Sequence, residues 1–167
     1  MSRQVKALLR EQSVVWVVSS AACGADLVVL QMAQQAGIRF RILLPVPPEE
    51  FRRTSVADRP FSADWHWEKL YDRLIRQAQS AGDLKVLEGT ATGTAGYQAV
   101  NEALVKEGLD LVEHVSERGG GEERVQVKAL VIWDGRSRGS TDLTRHFADE
   151  ARVQGLPVLE ILTRSSS

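Results

Sequence analysis

Residues 14–18 read Val-Val-Trp-Val-Val, and the residues that follow, Ser19 to Ala25, are all small. A continuous β-branched and aromatic run is what a strand covered on both faces requires. The run of Ser, Ala, Cys and Gly after it ends that strand and leads into an apolar-rich stretch, which continues to Ala36 and stops at Gly37. The predicted unit is strand, tight loop, helix, and the rest of the chain repeats it. Ile38–Leu44 forms a second strand by alternation and β-branching, closed by Pro45. Pro47-Pro48 is expected to keep a helix from starting directly, so a loop is expected to about residue 62. A connection that long is more often functional than incidental in a compact domain.

Ser62 or Asp64 is placed to cap a helix whose apolar positions Trp67, Leu70, Tyr71, Leu74 and Ala78 follow helical spacing. Residues 83–88 supply a third strand, and Gly89 to Gly96 a small-residue loop. Tyr97 to about Val112 reads as a helix with the stripe Tyr97, Val100, Leu104, Val105. Gly119-Gly120-Gly121 marks a surface turn, Val125–Trp133 a fourth strand, Thr141–Gln154 a helix and Pro157–Leu162 a last strand. Strands alternating with helices imply parallel pairing through right-handed crossovers. The expectation is a Rossmann-like three-layer α/β sandwich with a mostly parallel sheet of about five strands. It occupies one domain over 1–167, with its core in 14–162 and a tail at 163–167. In such sheets ligands gather at the carboxyl ends of the strands, where the loops after the first and fourth strands meet if those strands are neighbours.

Composition narrows the function. A net charge of -1 lacks the basic excess that nucleic-acid binding demands. The single cysteine, Cys23, cannot form an internal disulfide, and no signal-peptide pattern precedes the first strand. The chain therefore reads as cytoplasmic. No apolar run approaches the roughly 20 residues of a membrane span, and His66, His114 and His146 stand singly, without the spacing that gathers a metal. The expected partner is a small molecule, with neither nucleic acid, membrane, metal nor cofactor.

Two loops carry the candidate chemistry. In the first, Ser19, Ser20, Cys23, Gly24, Ala25 and Asp26 lead into a helix start, where unpaired backbone N–H groups favour an anion. Gly24 permits close approach or positive φ, and the serines offer hydroxyls. The loop carries neither a dinucleotide fingerprint nor an ATPase loop. The structural reading is a plain turn in which Asp26 caps or is solvated; Cys23 there reads as a small packed residue. In the second loop, Asp134 and Gly135 follow the strand, and Gly139, Ser140 and Thr141 open the last helix, with Arg136 and Arg138 available to a phosphate. Its structural reading is an Asp-Gly turn with solvated arginines.

Tyr97 and Asn101 share a helix face and are candidates for base or ribose contacts, or for satisfying local backbone groups. Arg52, Arg53, Thr54, Ser55 and Asp58 belong to the long loop, read as a lid over the crevice or as solvated surface. Trp67 reads as core and Trp65 as surface or interface.

Taken together, Ser19 to Leu27, Leu43-Leu44-Pro45, Phe51, Thr54 to Asp58, Tyr97 with Asn101, and Trp133-Asp134-Gly135 resemble the SLOG superfamily of bacterial Rossmann-like domains. That superfamily includes the DprA DNA-processing proteins, the LOG phosphoribohydrolases and the sensing region of TRPM channels. The likeness runs from about Val14 to Ile161. It implies a fold that binds nucleotides or their derivatives, as an enzyme or as a sensor coupled to an effector. There are two departures. Only the helix-like Arg3 to Glu11 stands where the family carries an upstream strand ending in a Gly-His-Arg-like loop, and Leu143 stands where LOG-type enzymes place a catalytic Glu.

The missing Glu favours a module that binds or senses a small nucleotide-derived ligand. One alternative is an enzyme that hydrolyses or transfers an N-glycosidic bond of a nucleoside or nucleotide, with Asp134 or Asp26 as its catalytic carboxylate. A second is a protein-interaction scaffold without a ligand. A homo-oligomer and a fused effector domain are both compatible with these readings.

Overall fold

A computed structural model describes residues 1–57, 66–89, 93–118, 125–136, 139 and 142–163. The chain divides into two compact units, Met1–Thr92 and Gly93–Ser167. Both are α/β, and every paired strand in them runs parallel. The five expected strands are present, but not as one sheet: the ladder hydrogen bonds of the described residues define one sheet of three strands and one of two.

The first unit opens with helix α1 (Ser2–Glu11). Strand β1 is Trp16–Ser19, two residues later than the apolar run begins. The cause is local: the Val14 N–H donates back to the Leu9 carbonyl at 3.0 Å, closing the end of α1, and Val15 is exposed. Helix α2 (Ala25–Gln35) follows and ends at Gly37, whose φ of 70° lets the Ile38 N–H reach the Ala33 carbonyl. Strand β2 is Arg39–Leu44.

Next comes a helix where the sequence predicts a loop. Residues Pro48–Ser55 form helix α3. Pro48 occupies its first helical position, where the missing N–H is one the helix leaves unpaired anyway and the fixed φ suits the turn. Glu49 and Glu50 in the first turn and Arg52 and Arg53 in the last suit the helix dipole. Phe51 is buried and its ring stacks against Tyr71 with centroids 6.2 Å apart.

Helix α4 (Trp67–Ala81) buries Leu70, Tyr71, Leu74, Ile75 and Ala78, as its spacing predicts, while Trp67 is only half-buried. The proposed caps Ser62 and Asp64, with Asp58 and Trp65, lie outside the described residues. Strand β3 (Leu84–Val86) completes the sheet in the order β1-β2-β3. Two right-handed crossovers taken in the same direction put α2 and α4 on one face of that sheet. The two helices touch each other, and each touches β2.

The second unit consists of α5 (Thr94–Arg118), β4 (Ala129–Trp133), α6 (Leu143–Val153) and β5 (Val158–Leu162). Helix α5 runs six residues beyond its expected end, and β4 begins four residues late. Val105, Ala129 and Ala151 form its core, with Leu109, Phe147, Leu156 and Val158 packed around them. Gly108 lies where α5 meets the segment before β4: a Cβ there would stand 3.1 Å from a methyl of Val127. The glycine turn at 119–121 and the tail at 164–167 lie outside the described residues.

Candidate functional site

The loop after β1 is built around its own carboxylate. Asp26, in the first turn of α2, reaches back rather than along the helix, and its Oδ2 accepts from the Ser20 hydroxyl at 2.6 Å and from the Ala22 N–H at 3.2 Å. Burial pushes this carboxyl above the ordinary carboxylate range, while hydrogen bonding from Ser20, the Ala22 N–H and Ser19 pulls it partly back. The turn it closes is tight: Ala21 is fully buried with a φ of 59°, a left-handed conformation unusual for a residue with a Cβ. Two groups that the sequence offers to an incoming anion, the Ser20 hydroxyl and the Ala22 N–H, therefore already serve Asp26.

What remains open is the start of α2. Its N-cap is Gly24, with φ 99° and ψ -116°, and among the described residues no side chain caps the helix. A Cβ placed on Gly24 would meet nothing within 4 Å. The first-turn N–H groups of Ala25, Asp26 and Leu27 thus begin an apolar helix without side-chain cover, beside a backbone that only glycine adopts easily.

The end of α3 meets this loop. The Cys23 N–H donates to the Ser55 carbonyl at 3.2 Å. Ser19 and Ser55 are both buried, so both serines line the interior of the turn. Thr54 is exposed and its hydroxyl donates to the Glu50 carbonyl one turn earlier. Arg52, expected in a lid, is instead tied to α4: its Nε donates to Asp72 at 2.9 Å, and a second nitrogen lies 3.3 Å from Glu68. The structure thus gathers Ser19, Ser20, Cys23, Gly24, Ala25, Asp26 and Ser55 at one strand end.

In the second unit the loop after β4 is exposed. Asp134 Oδ1 accepts the Arg136 N–H at 3.0 Å, and Gly135 takes a φ of 76°, so the Asp-Gly pair makes a local turn. Gly139 is exposed with a φ of 91°. Arg138, Ser140 and Thr141 lie outside the described residues. The last helix opens at Leu143, two residues later than expected, because Asp142 caps it: the N–H groups of Thr144 and Arg145 both donate to Asp142 Oδ1 at 3.1 Å. That carboxylate answers the same donors that the sequence reading offered to a phosphate. An aspartate directly before an amphipathic segment is a signal that finds this cap from sequence.

Asn101 of α5 donates through Nδ2 to the Leu143 carbonyl at 2.9 Å and lies 3.3 Å from His146 Nδ1. It satisfies a backbone group at the start of α6. Tyr97, one turn earlier on α5, is half-buried. His146 was missed from sequence because its partner lies 45 positions away. Among the described residues no three His, Cys, Asp or Glu side chains gather to hold a metal, and no helix is long and apolar enough to cross a membrane.

Compared with protein-family models, curated proteins and solved structures, the chain matches none.

Proposed function

We propose that this chain binds a small nucleotide-derived ligand through the loop after β1, as a sensing or binding module of the SLOG type. In the first unit the parallel strands β1, β2 and β3 alternate with helices, two of them, α3 and α4, standing between β2 and β3, and its glycine-bearing loop follows β1, where such sheets bind ligands. The observation that carries the reading is the uncapped start of α2 at Gly24, with open space where a side chain would stand. A phosphate near these N–H groups gains from both the donors and the helix dipole. The Asp26 Oδ2 atom is engaged within the loop by the Ser20 hydroxyl and the Ala22 N–H. A Rossmann-like build and the family likeness belong to the same proposal.

A second reading, N-glycosidic bond cleavage or transfer, is favoured by one observation: burial raises the Asp26 carboxyl, bringing it closer to the range a general acid needs. Asp134, exposed and engaged in its turn, lacks that setting.

Calorimetric titration with nucleoside monophosphates tests the binding reading, with saturable heat expected. Incubation of the same mixtures, with free base measured by chromatography, tests the second. Steady release that Asp26→Asn abolishes supports an enzyme, and binding without release supports a sensor.

A further inference from the structure

At the end of the three-stranded sheet away from the β1–α2 loop, the first residues of β1 and β2, Trp16 and Arg39, are register partners. Around them stands a charged cluster that the proposed function does not use. The side chain of Asp83, just before β3, is wholly buried, and its two oxygens are divided between two arginines. Oδ2 accepts from Arg39 Nε at 2.8 Å, and Oδ1 accepts from Arg41 Nε at 3.1 Å and Nη2 at 2.8 Å. Both guanidinium groups lie over the Trp16 ring, 4.5 Å and 5.3 Å from its centroid. Two cations thus share the Asp83 carboxylate.

The two arginines are used differently. Arg41 turns Nε and Nη2 to Asp83 and is only 17% exposed. Arg39 commits Nε alone, its side chain is 57% exposed, and its terminal nitrogens have no partner among the described residues. An exposed arginine normally samples many rotamers, and ordering them opposes binding. Here the indole and Asp83 fix the guanidinium in advance. The free edge, Nη1 with Nη2, presents two parallel N–H donors in the fork that matches two oxygens of one oxyanion.

We propose that Arg39 is an oxyanion receptor, gripping a carboxylate or phosphate monoester group in bidentate fashion at a site separate from the loop after β1. Trp16 and Asp83 are its positioning residues, and Arg41 adds charge behind it.

The test uses the full chain, titrated separately with inorganic phosphate and acetate at constant ionic strength, with chloride as the balancing anion. Side-chain resonances of ¹⁵N-labelled arginine are followed. A saturable shift at Arg39 with either oxyanion, absent with chloride, supports the proposal; the anion that saturates names the ligand group. Arg39→Lys, which keeps the charge and loses the paired donors, should weaken binding at least fivefold. Arg39→Gln, with folding checked by circular dichroism, should abolish it. An equal response to chloride, no saturable response, or wild-type affinity in Arg39→Lys would overturn the proposal.

Discussion

The Ser20 hydroxyl donates to Asp26 Oδ2 at 2.6 Å, so the loop that leads into α2 folds around a carboxylate of that same helix. The bond has a consequence for stability as well as for binding, because the carboxyl it serves is one that burial raises.

A carboxyl whose folded-state pKa lies above its unfolded value binds its proton more tightly when folded. Its stabilising contribution is complete below the unfolded pKa and is lost as pH rises through the folded one. The expected outcome is that Asp26→Asn, which keeps an acceptor for Ser20 and Ala22 without the charge, melts no lower than the wild type at pH 7. The difference between the two should shrink toward pH 4. Thermal melts across that range check it; a variant that melts lower at pH 7 contradicts the assignment.

Removing Asp83 leaves two arginines without their shared anion, one of them largely buried. Breaking a buried pair on one side costs on the order of 3 kcal/mol. Asp83→Ala should lower the urea midpoint of the first unit accordingly, and Arg39→Ala, at the exposed end of the cluster, should lower it much less.

Gly24→Ala meets no clash, since nothing lies within 4 Å of the new Cβ, and its cost is conformational. Forcing alanine to φ 99° and ψ -116° costs about 1–3 kcal/mol. The variant should be measurably less stable by denaturant titration and should lose nucleotide binding beyond what that destabilisation explains.

The Leu143 carbonyl can only accept, so the Asn101 atom beside it is the amide nitrogen, and the same nitrogen faces His146 Nδ1. Nδ1 must then accept, which puts the proton of neutral His146 on Nε2. Long-range ¹H–¹⁵N spectra should show that tautomer. Asn101→Ala should release it at a stability cost of about 1 kcal/mol, and a wild-type spectrum with the proton on Nδ1 would refute the arrangement.

How far the chain could be read in advance differs by element. Its five strands and the stripe of α4 follow from local periodicity, which is why Leu70, Tyr71, Leu74 and Ala78 all appear inside. Helix α3 stands where a loop is expected because Pro48, at the first helical position, starts a helix rather than barring one. The cluster of Trp16, Arg39, Arg41 and Asp83 was invisible for another reason: it depends on strand register and on a residue more than 40 positions away. In the first loop the small residues mark the turn between β1 and α2. They gave no sign that Asp26 would occupy the Ser20 hydroxyl and the Ala22 N–H.

The most direct measurement is an amide ¹H–¹⁵N titration of the full chain with nucleoside monophosphates. The account predicts saturable shifts at Gly24, Ala25, Asp26 and Leu27. Amides at the start of α2 that stay unmoved while the nucleotide saturates elsewhere, or no saturation at all, would contradict it.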